Sequence, residues 1–377
     1  MSMRATRHIA SLDGLRGIAA FLVVVSHVAL LYPHLPGWFS LNIGAEAVEI
    51  FFALSGFLMA SLYAARPIDR VAATDYLVHR FARIYPVYLV AVLFVVFLSS
   101  VPGLDYIHPI EGPVEILRHV VLLGSSGVFW SVPPEIQFYF FFLLVWLCLS
   151  NPRKYRFLAL FLTVCLMLDA VFDFPGPGIL LPSKIHFFLS GVAAGLLFAS
   201  GRLRPTGPAV GIATLALLGF VFLSKMLMWR DQHDGWGLVM AVTAGVIVFL
   251  TAQEHTLSRA VLASPPLRFL GKISFSLYLF HVPVMFLSMK TLGMFLPGAV
   301  SVVLAVGIAV VFATFSYHLV EDPARRWLVE GWKRHRAGQV DGLARPSETQ
   351  AREAHTRDAH PRDAQSRNPN GRMPSTA

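Results

Sequence analysis

The chain has 377 residues, of which 55% are apolar and only 14% charged, and its formal net charge is +9. A soluble domain carries roughly 45–50% apolar and about 25% charged residues, so both departures point to a chain that lives in lipid. They argue against a soluble enzyme and a secreted scaffold. The two cysteines, Cys148 and Cys165, lie in apolar runs and offer neither a disulfide framework nor a thiolate metal site. The excess of Lys and Arg, which in a soluble chain would suggest nucleic acid, reads here as loop charge bias.

A helix needs about 20 apolar residues to cross some 30 Å of hydrocarbon. Ten runs approach that length, near 15–32, 43–64, 84–101, 131–150, 155–172, 184–200, 208–226, 235–252, 267–289 and 298–320. The first follows Arg4 and Arg7 as a signal peptide would, but no small-residue cleavage site with a globular continuation follows. It reads as an uncleaved first span. The stretch around 113–124 is too short and polar to span and reads as interfacial. With a cytoplasmic N-terminus, fifteen basic residues between Arg4 and Arg326 fall in inside segments. Five, Arg118, Lys184, Lys225, Arg230 and Lys290, fall outside. That bias predicts an all-α integral membrane bundle of ten transmembrane helices with both termini cytoplasmic, in a plasma membrane.

The membrane domain is expected over residues 1–332. From 333 to 377 aliphatic side chains nearly vanish and a loose five-residue repeat appears (REAHT, RDAHP, RDAQS, RNPNG), which predicts a disordered cytoplasmic tail. His355 and His360 read as part of that solvated tail rather than as metal ligands.

Charged groups inside spans cost roughly 2.5–3.5 kcal/mol on insertion scales, so each is a functional candidate. In SLDGLRGIAAFLVVVSH, Arg16 and His27 are eleven residues apart, close to three turns. They share one face and lie about 16 Å apart along the axis. Asp13 is one turn before Arg16 and within reach of it. The topology and the helical rise then sort the other groups by depth. His27, Glu49, Glu135 and His281 fall in the outer half, and Arg16, Arg80, Arg83, Lys272, Glu321 and Asp322 near the inner face. Arginines at a cytoplasmic mouth suit phosphate, whose oxygens the guanidinium fork binds bidentately. A plain positive-inside role accounts equally well for Arg80 and Arg83. A histidine beside a carboxylate suits removal of a hydroxyl proton. For Glu135, after Pro133 and Pro134, a helix-dipole charge is the simpler alternative. Ser55, in LSGF, reads as a small packing residue.

Six segments, SLDGLRGIAAFLVVVSH, VEIFFALSGFL, YLVHRFARIYPVY, WSVPPEIQFYFF, LGKISFSLYLFHVPV and YHLVEDPARR, run in this order from about residue 10 to 327. In these the chain resembles the acyltransferase-3 family of multi-pass membrane O-acyltransferases. The resemblance implies ten spans and transfer of acetyl or another short acyl group from cytoplasmic acyl-CoA to a hydroxyl. The acceptor is commonly a surface polysaccharide, lipopolysaccharide or other carbohydrate. It places His27 on the family's catalytic histidine, with Glu135 and Asp13 counted beside it. Arg16, Arg80, Arg83 and Lys272 are expected to hold acyl-CoA, and Glu49 and His281 to serve the acceptor or a proton relay. Departures are mild: Glu49 stands where an aspartate is usual and Phe275 where a tyrosine is. No metal or permanently bound cofactor is implied, and the partners are acyl-CoA, a carbohydrate or glycolipid acceptor and the bilayer, not nucleic acid. Some members carry an extra periplasmic hydrolase-like domain, and the short tail here is expected to stand in its place. A transporter or flippase for a glycan-linked or anionic substrate fits the same bundle, but spans one to five show no convincing repeat in spans six to ten.

Overall fold

Helices account for every regular element among the described residues of the computed structural model, which are 8–32, 43–227 and 237–344. Arg4, Arg7, Arg230 and the repeats of the tail lie outside them. In chain order the helices are α1 (Ala10–Ser26), α2 (Val28–Leu31), α3 (Gly44–Tyr63), α4 (Arg70–Ser99), α5 (Gly112–Val120), α6 (Val132–Ser150) and α7 (Arg156–Val171). There follow α8 (Ile185–Ser200), α9 (Pro208–Leu227), α10 (Gly237–Ala252), α11 (Thr256–Leu262), α12 (Pro265–Lys272), α13 (Ser274–Leu292), α14 (Gly298–Ser316) and α15 (Asp322–Ala344). A helix falls on each of the ten expected runs, but their lengths differ. Seven are long and apolar enough to cross a membrane: α1 with α2, α3, α4, α6 and α8 with their preceding turns, α13, and α14 with its continuation. An eighth forms if α10 and α11, which meet at 100°, count as one broken span. The chain is thus a multi-pass membrane protein.

The remaining two runs are short. In α9 the apolar helix is Pro208–Leu223. In α7 there are 16 residues, none of them buried, which at 1.5 Å per residue is about 24 Å. Its Phe157, Phe161, Met167 and Val171 all face outward, as lipid-facing side chains would. The amphipathic α5, nine residues long, occupies the segment expected to be interfacial.

Two seams position the site. At Gly56 and Gly191 the α3 and α8 backbones meet so closely that a Cβ on Gly191 would lie 1.9 Å from the Ala53 carbonyl. Small residues permit this approach, and without a hydrophobic drive in lipid the resulting van der Waals contact holds the helices together. The short α11 and α12 lie against the start of α1 and so fix the turn that carries Arg16. Around these seams Phe52, Phe57, Phe138, Phe142 and Phe188 fill the core.

The first span and the tail also differ from the sequence reading. The first span is not continuous: α1 stops at Ser26, and His27 occupies a turn before α2. The tail, expected to be disordered from 333, is helical through Ala344. WKRHRAGQVDGLA holds many good helix formers and no proline, so the change to polar composition ends burial without ending the helix. Contacts divide the chain at this helix into two units, Met1–Leu328 and Val329–Ala377. Within the second, the Trp332 ring lies 5.8 Å from that of His335.

Candidate functional site

Asp69 caps α4 by accepting from the Ala72 N–H at 2.7 Å. The helix then runs far enough inward to carry Arg80 and Arg83, one turn apart, into the bundle. There they meet Arg16 of α1 around a cavity. Glu135, Ser55, Tyr139 and Tyr278 also line it. Arg16 donates from Nη2 to the Ser274 hydroxyl at 3.3 Å. Arg80 donates to the Tyr63 hydroxyl at 3.4 Å, with its guanidinium 5.6 Å from that ring. The Arg80 Nε is buried without an acceptor, which leaves a strong donor available to an anionic ligand.

Glu135 is in the same cavity, not separated from the arginines by half a membrane as its predicted depth required. The cause is local: a 3₁₀ turn over Gly127–Ser131 is largely buried, so α6 begins inside the bundle rather than at its surface. The carboxylate oxygen Oε1 accepts from the Ser55 hydroxyl at 2.8 Å and from the Tyr139 hydroxyl at 2.6 Å. Ser55 is therefore a polar partner of Glu135 and not merely a packing residue.

Beyond the cavity stands a pair of histidines. The His27 Nδ1 lies 2.8 Å from the Val23 carbonyl. A carbonyl only accepts, so in the neutral ring Nδ1 carries the hydrogen and Nε2 keeps its lone pair. His281 is fully buried; its Nδ1 donates to the Tyr278 carbonyl at 2.8 Å, and its Nε2 faces the His27 Nδ1 at 3.3 Å. The two rings meet edge-on, 4.9 Å apart. Neither histidine is on the cavity wall. Tyr278 closes that side: its hydroxyl donates to the Val128 carbonyl at 2.9 Å and accepts from Ser131 at 2.7 Å, and its ring lies 6.2 Å from His281.

The other expected residues are placed apart from this cavity. The Asp13 carboxylate pairs with His8 at 2.8 Å while Arg16 turns to Ser274, so the anticipated Asp13–Arg16 hydrogen bond does not form. Asp13 lies half-buried in the first turn of α1, within reach of His8 just before the helix. Lys272 is exposed at the end of α12, its ammonium 5.0 Å from the Tyr317 ring. Glu49 is half-buried near the start of α3, which backs onto Ser26 beside His27 at Gly44.

One residue near these groups gave no signal in the sequence, and another, Glu321, was marked only by its depth. His108, in the loop between α4 and α5, is held below its ordinary pKa by burial and by neighbouring His27. Glu321, buried in a π-helical turn over Tyr317–Glu321, accepts from the Ser276 hydroxyl at 2.6 Å.

The helical membrane fold and its cavity define a class, a membrane-embedded domain with a basic interior site. The chain belongs to the acyltransferase-3 family, whose model, described as an acyltransferase domain, matches residues 9–318. It is 26% identical over 365 residues to the peptidoglycan O-acetyltransferase OatA of Listeria monocytogenes, covering 85% of this chain and 56% of that one. It is also 26% identical over 360 residues to YrhL of Bacillus subtilis, to which peptidoglycan O-acetylation is provisionally assigned, covering 85% and 55%. The chain thus spans little more than half the length of these curated relatives. No solved structure matches it.

Proposed function

We propose that the protein is a plasma-membrane O-acetyltransferase that moves an acetyl group from cytoplasmic acetyl-CoA to a hydroxyl of a cell-surface glycan. The observation that carries this reading is the cavity lined by Arg16, Arg80 and Arg83, with the Arg80 Nε buried and unpaired. Three guanidiniums in a membrane interior are costly unless they serve an anion. The phosphates of coenzyme A are such an anion. Ten spans with both termini cytoplasmic would open this cavity to the cytoplasm.

In the step we propose, the acceptor O–H gives its proton to the His27 Nε2 as its oxygen attacks the acetyl carbonyl. The carbon–sulfur bond breaks, and the CoA thiolate leaves and takes up the proton that His27 received, which restores the neutral ring. His281 supports the imidazolium that forms, because its Nε2 lone pair faces the His27 Nδ1–H. Glu135 keeps its carboxylate in the cavity by accepting from Ser55 and Tyr139, and Glu49 stands towards the acceptor side. Peptidoglycan is the glycan that the names of the two relatives suggest. Membrane vesicles supplied with radiolabelled acetyl-CoA test the reading: label should pass to glycan with the native chain and not with His27→Gln. Equal labelling by both would remove the proposed mechanism, and no labelling by either would remove the activity.

A further inference from the structure

Glu321 is a buried carboxylate that the proposed transfer does not use. Only 8% of its surface is exposed, and its setting is unusual. The π turn over Tyr317–Glu321 ends on it, and such turns frequently mark functional positions. The next residue, Asp322, turns the other way and pairs with Arg325 and Arg326. Two adjacent acids therefore have opposite duties, one binding exposed arginines and the other facing the bundle.

What Glu321 faces is set by the first turn of α13. Ser274 there accepts from Arg16 at 3.3 Å, and Ser276, two residues on, donates to Glu321 at 2.6 Å. Ser316 donates in turn to Ser276 at 3.3 Å. The same short segment thus fixes a cavity arginine and a buried carboxylate side by side. The cations whose charges act on Glu321 are Arg83 and Arg16, both on the cavity wall. Its hydrogen bond goes to a serine, so it acts on them through its field and leaves their donors free.

We infer that Glu321 is the buried counter-charge of Arg16 and Arg83, and that it limits how tightly the cavity grips an anionic donor and its CoA product. This inference rests on the donor-site reading above. Its electrostatics have a definite sign. A carboxylate behind the arginines competes with phosphate for their positive potential, so removing its charge strengthens anion binding. A carboxylate needed only to hold the arginines in place would have the opposite effect.

Binding of CoA to the purified full-length chain in detergent separates these cases. Glu321→Gln keeps the size and an acceptor for Ser276 but removes the charge. It should bind CoA about tenfold more tightly, as expected for one charge nearby in a medium of reduced dielectric. Glu321→Asp, which keeps the charge, should bind as the native chain does. Unchanged or weaker binding by Glu321→Gln would overturn the inference, and so would tighter binding by both variants, which would point to shape rather than charge. If Glu321→Gln fails to accumulate because its arginines are left uncompensated, adding Arg83→Gln should restore it. Failure of that double variant as well would also overturn the inference. Absence of CoA binding by the native chain would instead refute the donor site itself, and this inference with it.

Discussion

His27 is the proposed general base, and its geometry argues that a side chain of similar shape will not replace it. The hydrogen bond to Val23 holds Nδ1–H inward and leaves Nε2 as the free base. His27→Gln retains a polar group but cannot take a proton at neutral pH, so acetyl transfer should fall by about 10²–10⁴-fold with the protein still in the membrane. Near-normal transfer by that variant would make His27 a structural partner only. Tyr139→Phe tests the next layer. It removes the 2.6 Å hydrogen bond to Glu135, a bond to a charged group worth about 1.5–3 kcal/mol. Its thermal midpoint in detergent should drop accordingly, and an unchanged midpoint would show that Glu135 does not depend on it. At this scale the sequence was legible where a residue is expensive in lipid. Arg16, Arg80, Arg83, His27 and His281 all announced themselves by the cost of burying them. Ser55 and Tyr278 did not, because a hydroxyl in a span is cheap and its partner lies 80 or more residues away.

Helix positions were legible from apolar runs, but their interruptions were not. The break at His27, the buried 3₁₀ turn before α6 and the π turn at Glu321 each span only a few residues, and composition does not mark them. They nonetheless determine the site: the 3₁₀ turn brings Glu135 down to the arginines, and the π turn brings Glu321 in behind them. The helix seams make their own prediction. A methyl group at Gly191 would press on the Ala53 carbonyl at 1.9 Å, and overpacking of this kind costs about 1–3 kcal/mol. Gly191→Ala should lower the thermal midpoint of the solubilised protein, whereas Gly219→Ala, with open space around it, should not. Equal effects at both sites would mean that the α3–α8 seam does not carry the fold.

At the scale of the whole molecule, the charge bias of the loops and the positions of the cavity and the histidines converge on one arrangement. In the proposed reading the cavity arginines lie towards the cytoplasmic side, the histidine pair lies beyond Tyr278, and the acceptor would approach from outside. Reporter fusions near residues 70, 153 and 203 should accordingly read cytoplasm, and one near 108 the outside. An inverted report at any of them would break the ten-span topology at that loop. The direct test of the central claim, that the arginine cavity holds the acyl donor, is the dependence of acetyl transfer on acetyl-CoA concentration for Arg80→Ala. Loss of one charge-assisted contact should raise KM for acetyl-CoA by about ten- to hundredfold with kcat little changed. An unchanged KM with a collapsed kcat would contradict the claim and move Arg80 out of the donor site.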